Sequence, residues 1–378
     1  MSDDKNNPLD EPSARDDPAA SKRTKTKRIV QSLISIVIVV GIFVGVMPQI
    51  ADYDEVWATI RSLTWLESTS LAIVALWNLA TYWFVLVAAL PGLRLREAAV
   101  VNQSSTAVSN TLPGGGAIGV GVTLAMLTSW GFNVPSITRS AVVTGIWNNF
   151  VKLGMPILAL GLLAIESEVS NAWVSASAIG LAALVGAVVG LGMILRSDKL
   201  ARSVGASLEK VVSKLLSVFR KPPVSGWSER AARFRNDTIG LLQHRWLQLT
   251  LSTMISHLSL YIVLLLTLRH VGVGQEELSW IQVLAAFSFV RLISALPVTP
   301  GGVGVVELGY AAALTIGLDE MAKAQVVAAI LVFRTITYVL PIPLGATAYV
   351  IWRRNRSWRL DEHERAELAG DAYVTSGV

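Results

Sequence analysis

The sequence predicts an all-α polytopic membrane protein with about six full spans and two Pro-Gly-Gly-interrupted hairpins in an inverted repeat. Three observations carry that reading. Of 378 residues, 52% are hydrophobic and 16% charged, with mean hydropathy +0.53, more apolar surface than a soluble chain of this length can hide. Several apolar runs exceed the roughly 18 residues that mark a spanning helix. Two further apolar blocks are broken by Pro and Gly at corresponding places.

Residues 1–28 are polar and rich in Asp, Pro, Ser and Lys, a composition that cannot build a core and predicts a disordered tail. The tail ends in a basic run, Lys22 to Arg28, before the first span, Ile29–Met47. No small-residue cleavage site is evident, so this span reads as a retained anchor. The other full spans are Ser70–Leu90, Ala141–Ile165, Ala172–Leu195, Trp246–Leu268 and Gln325–Trp352. Residues 29–352 thus form one transmembrane domain, with residues 353–378 a second tail.

Basic residues cluster at three places: before the first span, after the last (Arg353, Arg354, Arg356, Arg359), and over Arg196–Arg245. That stretch holds eleven Lys or Arg against four Asp or Glu. The positive-inside rule places all three, and therefore both termini, in the cytoplasm of a cell membrane. Acidic short loops alternate with them: Asp52 to Glu55, Glu166 to Glu168, and Glu276-Glu277. Within the basic stretch, Leu200, Val204, Leu208, Val211, Leu215 and Phe219 recur at helical spacing. Lys199–Phe219 is therefore expected to be an amphipathic helix, either along the inner leaflet or packed under the bundle.

The crossing count closes only if each interrupted block, Ala98–Trp130 and Leu278–Leu318, begins and ends on one side. Each is either a re-entrant hairpin or two short spans. The first contains "TLPGGGAIGVG" and the second "PVTPGGVGVVE". From Pro113 to Gly131 is 18 residues, and from Pro300 to Gly317 is 17. One block enters from inside and the other from outside, which is the arrangement of inverted-repeat transporters.

Broken backbone is tolerated at membrane depth only where it is buried or lines a wet cavity. Thr111 or Thr299 is expected to cap the half-helix that follows each break. Pro113 and Pro300 suit a first helical turn, which has no use for their missing N–H. Gly114, Gly115 and Gly116, and Gly301, Gly302 and Gly304, let a backbone or ligand come close. The freed half-helix N-termini would then favour an anion such as phosphate.

Ionisable groups at membrane depth cost about 2.5–3.5 kcal/mol on insertion scales, so each needs a reason. Glu307 follows the second break, Arg291 precedes it, and Arg334 falls within the last span. In the first half the corresponding span carries Asn148, Asn149 and Lys152. From Pro113 to Asn149 is 36 residues, and from Pro300 to Arg334 is 34. Arg291, Arg334 and Lys152 are expected to hold an anionic headgroup, with Asn149 beside them. Glu307 would neutralise an arginine of the empty site or carry a proton; the alternative is a buried Glu307–Arg334 pair that only fixes helix register. His257 with Tyr261, and Asn78 with Tyr82, are expected to be packing residues.

The chain has no cysteine, and its four histidines show no i, i+4 pairing, so no metal site is expected. No Walker A pattern occurs, and no cofactor or nucleic-acid partner is implied.

Pro300-Gly-Gly-Val-Gly-Val-Val-Glu307 resembles the P-G-G-x-G-x-x-E signature of the lysylphosphatidylglycerol synthase/flippase transmembrane family. Pro113 to Gly116 and Arg334 fit its pattern too. The resemblance implies a flippase-like domain that handles an anionic phospholipid or a polyprenyl-phosphate-linked glycan. Bifunctional members carry a soluble aminoacyl-transferase domain after the membrane part. Only 26 residues follow Trp352 here, so lysyl transfer is not expected. A non-enzymatic lipid translocator is the leading expectation. A membrane glycosyltransferase using Asp52, Asp54 and Glu55, or a non-transporting partner of an envelope-lipid biosynthetic enzyme, are the alternatives.

Overall fold

The computed structural model describes residues 53–112, 115–166, 171–218, 222–294 and 299–355, with 358, 360, 363–365 and 367–368 of the tail. The expected tail 1–28, the span Ile29–Met47, Asp52, Glu168, Pro113 and Gly114 lie outside these residues. The described residues are helical, with no strand among them. In chain order the helices are α1 (Tyr53–Arg61), α2 (Trp65–Ala89), α3 (Leu95–Thr111), α4 (Gly115–Ser129), α5 (Val134–Glu166) and α6 (Asn171–Arg196). Then come α7 (Asp198–Val218), α8 (Trp227–His270), α9 (Trp280–Ile293), α10 (Val305–Leu314), α11 (Glu320–Arg334) and α12 (Pro341–Arg354).

Helices α2, α5, α6, α8 and the continuous α11–α12 are long and apolar enough to cross a bilayer. They correspond to the five expected spans that fall within the described residues. The arms of the two interrupted blocks are shorter. α9 has 14 residues and α10 has 10, about 21 and 15 Å at 1.5 Å per residue, against a hydrocarbon core of about 30 Å. Neither arm can span.

Contacts fix the direction of each element. Ser70 Oγ at the start of α2 lies 2.7 Å from His270 Nε2 at the end of α8, and Arg245 Nη1 donates to Val87 O at 3.1 Å. The two helices are therefore antiparallel. The α2–α3 turn and the end of α4 share one face with the end of α12, where Trp352 Nε1 donates to Ser129 Oγ at 3.0 Å. This face carries Arg94, Arg96, Arg353 and Arg354, and is called the basic face below. The α8–α9 turn lies at the opposite, acidic face, where Gly272 abuts Gln325 near the start of α11. Block α3–α4 thus enters and leaves at the basic face, and α9–α10 at the acidic face. Both are re-entrant hairpins, which decides between the two alternatives left by the crossing count.

Local sequence explains where the elements start. Thr64 and Glu67 form a capping box on α2, Ser279 and Gln282 another on α9, and Asp319 caps α11. All three helices start at the acidic face. Packing follows the repeat. α2 packs on its counterpart α8, α3 on α12, and α9 on α5, so each hairpin's leading arm leans on the last span of the other half. The α3–α12 contact is close because Gly345 presses its bare Cα on Gln103 O, where a Cβ would collide. A core of Val263, Leu264, Phe287, Tyr310, Val327 and Ile330 holds the second half together.

Helix α7 covers most of the expected amphipathic segment; its expected last residue, Phe219, lies outside the described residues. Ala201 and Gly205 are buried against α8, while Leu208, Val211 and Leu215 are exposed. One face is thus packed under the bundle, as one of the two alternatives has it, and the other leaves apolar side chains exposed.

The C-terminal tail makes a contact the sequence did not announce. Arg365, 2% exposed, reaches the basic-face end of the first hairpin and pairs with Glu97, which is fully buried. Its Nη1 and Nη2 meet Glu97 Oε2 and Oε1 at 3.1 and 3.3 Å. It also donates to Trp130 O at 2.8 Å and Gly92 O at 3.0 Å. One guanidinium therefore ties together both ends of α3–α4.

Candidate functional site

The second break is built from three left-handed residues. Gly301, Gly302 and Gly304 have φ of 58, 70 and 81°, where a side chain is strained. At Gly301 a Cβ would also run into the Tyr338 ring. These turns delay the half-helix. It starts at Val305 rather than at Pro300, so Glu307 lies in its first turn.

That delay corrects two expectations. Thr299 does not cap the half-helix; its Oγ1 donates to Val303 O at 2.8 Å. The cap is Glu307, whose Oε2 accepts from Gly304 N at 2.8 Å. The dipole end expected to greet an anion is thus occupied by the chain's own carboxylate. The first break behaves alike. Thr111 Oγ1 turns back to Ala107 O, and Gly115 N donates to Leu112 O at 2.8 Å. Gly115 itself is packed against the carbonyls of Val108 and Ser109. In both cases a local acceptor wins because a buried N–H left for an absent ligand would be costly.

Glu307 is 3% exposed and fully engaged. Its Oε1 accepts from Arg334 Nε at 2.7 Å. Arg334 Nη2 donates to Gly301 O at 3.1 Å, and its guanidinium lies 4.7 Å from the centroid of the Tyr338 ring. Tyr338 belongs to a π-helical turn, Thr335–Val339, that interrupts the last span between α11 and α12. Pro341 follows after Leu340, and its missing N–H suits the altered ladder.

A cavity of about 750 Å³ lies between the hairpins at mid-span, lined by Asn78, Leu79 and Tyr82 of α2 and by Asn148 and Lys152 of α5. Both hairpins reach it, through Asn102, Asn110 and Gly116 of the first and Arg291 and Gly301 of the second. Lys152, Arg291 and Arg334 all face it, and its described lining contains no Asp or Glu. Two buried lining atoms, Arg291 Nε and Gln103 Oε1, have no protein partner. The three cations are half-buried, and only one of them is paired to a carboxylate, so the cavity presents a positive lining.

Of the residues expected at the site, Gly116, Lys152, Arg291, Gly301 and Arg334 come together on this cavity. Glu307 stands directly behind Arg334. Gly302, Gly304, Thr299 and Pro300 shape the break without lining it. Asn149 is turned away; it is exposed, and its Nδ2 donates to Gly145 O at 2.9 Å. Its neighbour Asn148 faces the cavity instead, with Oδ1 2.8 Å from His257 Nε2. A helix advances about 100° per residue, so adjacent asparagines cannot share a face. Asn78 donates to Ser259 Oγ at 2.6 Å and ties α2 to α8, the packing role expected of it, while its position also lines the cavity. Asn102, Gln103 and Asn110 are the lining residues that spacing from the breaks did not single out; their polarity on a membrane-embedded arm was the available signal.

Tyr82, Asn102 and Asn148 also line a second, mostly apolar cavity of about 600 Å³. It runs from the polar cavity between α2, α3, α4 and α5 to Leu93 and Val134 near the basic face. The polar chamber and the apolar groove thus share a wall.

A family model described as Lysylphosphatidylglycerol synthase TM region matches residues 32–345. No curated protein matches the chain.

Proposed function

The chain belongs to the lysylphosphatidylglycerol synthase transmembrane-region family, and from that premise we propose that it is a lipid translocator rather than an enzyme. Its cargo is an anionic phospholipid or a polyprenyl-phosphate-linked glycan, whose shared feature is a phosphate. The observation that carries this reading is the mid-span cavity with Lys152, Arg291 and Arg334 facing it, no acid in its described lining, and an apolar groove adjoining it. The headgroup phosphate rests between Arg291 and Lys152, and a hydrocarbon tail follows the groove. Arg334, held by Glu307, supplies a third positive edge. By the positive-inside rule we read the basic face as the cytoplasmic side of a cell membrane, with both termini on that side.

Because each hairpin opens toward a different face, rocking of one half against the other would present the same cations to either leaflet. The test is a headgroup-accessibility assay in liposomes holding the purified chain and a labelled phosphatidylglycerol. The expected result is faster equilibration between leaflets than in empty liposomes, and at least about tenfold slower equilibration for Lys152→Gln/Arg291→Gln. Equal rates with and without protein, for both phosphatidylglycerol and a polyprenyl phosphate, would sink the proposal.

A further inference from the structure

On the other side of α5 lies a larger cavity, about 1080 Å³, bounded by α5, α6, α7 and the N-terminal part of α8. Its volume exceeds the roughly 300–1,000 Å³ of ordinary small-ligand pockets. It shares no lining residue with the polar cavity.

Its two ends differ in chemistry. Val143, Ile146 and Trp147 of α5 and Leu191, Ile194 and Leu195 of α6 make an apolar end within the spans. At the basic face the lining changes to Arg230, Arg233 and Arg235 of α8, with Asp237. The single acid there is approached by Arg139 Nη1 at 4.0 Å, and Glu229 turns to Arg202 at 3.6 Å. The local balance is therefore positive.

Several polar groups around the cavity lack protein partners. Thr238, 4% exposed, has a hydroxyl with no hydrogen bond. Trp227 Nε1, Arg235 Nε and Arg139 Nε are buried without one as well. Buried donors without acceptors are rare in folded proteins and call for a ligand that accepts. The depth is right for a lipid. Arg139, near the basic-face end of α5, approaches Asp237 at 4.0 Å, so Arg233 and Arg235 lie level with the first turns of that span. α7 floors the cavity there with Ala201, Val204, Gly205 and Leu208 and leaves Val211 and Leu215 exposed, as a helix resting on a bilayer surface does.

We infer that this cavity binds one anionic phospholipid of the basic-face leaflet as a resident, non-transported lipid. Its phosphate is held by Arg230, Arg233 and Arg235, and an acyl chain fills the apolar end between α5 and α6. Arginine forks match phosphate oxygens, and the buried donors find acceptors in the phosphate and ester oxygens. The lipid would fasten α6 to the bundle: none of the apolar window of α6 is buried within the chain.

The experiment follows thermal unfolding of the full chain in micelles titrated with dioleoylphosphatidylglycerol, dioleoylphosphatidylcholine or inorganic phosphate. The expected result is a rise in Tm with phosphatidylglycerol alone. Arg230→Gln/Arg233→Gln/Arg235→Gln should need at least about tenfold more of it for half-effect. Val204→Trp, which fills the cavity and leaves the arginines intact, should weaken the response too. In a Lys152→Gln/Arg291→Gln background, whose transport cavity no longer grips phosphate, a rise with phosphatidylglycerol should persist and should be lost on adding the three arginine substitutions, which separates this site from the transport cavity. A wild-type response in the triple-arginine variant, or an equal rise with phosphatidylcholine, would overturn the inference; a rise with inorganic phosphate alone would mean an adventitious ion only, and would overturn it equally.

Discussion

Asn110 and Tyr338 bind each other reciprocally across the two halves of the chain. Asn110 Nδ2 donates to Tyr338 O at 3.1 Å, and Tyr338 OH donates to Asn110 O at 2.6 Å. Asn110 ends the leading arm of the first hairpin, and Tyr338 stands in the π-helical turn of the second half, its ring over Gly301 and Arg334. The two breaks are thus joined by one pair. Tyr338→Phe keeps the ring and removes one hydrogen bond. It should lower stability by about 1 kcal/mol and change lipid flux, measured together by thermal unfolding and the liposome assay.

The Glu307–Arg334 pair gives a prediction about coupling. Removing one partner of a buried ion pair strands the other and costs about 3–5 kcal/mol. Arg334→Gln should therefore be strongly destabilising, and Glu307→Gln/Arg334→Gln less so than the sum of the single changes. A double-mutant cycle on unfolding should return a coupling of about 1–3 kcal/mol. Strict additivity would contradict the ion pair.

Gly301 is constrained twice, by its left-handed backbone and by the Tyr338 ring. Gly301→Ala should cost about 1–2 kcal/mol for the backbone and about 1–3 kcal/mol for the collision. The collision should show as non-additivity: Gly301→Ala/Tyr338→Ala should cost about 1–3 kcal/mol less than the sum of the two single changes.

At the basic face, Arg365→Met leaves Glu97 buried without its cation. A loss of about 3–5 kcal/mol is expected, and Glu97→Gln/Arg365→Met should recover much of it. Unfolding of the four variants checks this. If Arg365→Met unfolds like wild type, the tail does not hold the first hairpin.

How much of this was legible in the sequence follows from the range of the interactions. Five of the six expected spans appear within the described residues, because a bilayer imposes length and hydropathy on contiguous residues. The inverted repeat was legible through the spacing of Pro-Gly-Gly and the alternation of charge. The caps of the half-helices were misread. Thr299 and Thr111 fit the local pattern, yet left-handed turns at Gly301, Gly302 and Gly304 moved the helix start and handed the cap to Glu307. Asn149 was chosen over Asn148 because spacing alone does not give the phase of a long helix. The Arg365–Glu97 pair and the Asn110–Tyr338 pair join residues more than two hundred positions apart, and no local pattern encodes them.

Half-buried cations that await an anion make a folded protein less stable and more useful, and that opposition of signs separates a binding site from a structural one. Lys152→Gln/Arg291→Gln should leave Tm unchanged or raise it while lipid flux falls at least about tenfold. A parallel loss of both would assign the two cations to the scaffold.

The most direct test of the central claim uses the absence of native cysteine. Gly116 lines the mid-span cavity, and a side chain added there meets nothing within 4 Å. Gly116→Cys should react with a small, charged, membrane-impermeant thiol reagent, and phosphatidylglycerol should slow that reaction more than phosphatidylcholine does. If Gly116→Cys stays unmodified while a Cys at exposed Asn236 reacts fully, the chamber is dry and the account of a hydrated headgroup site is wrong.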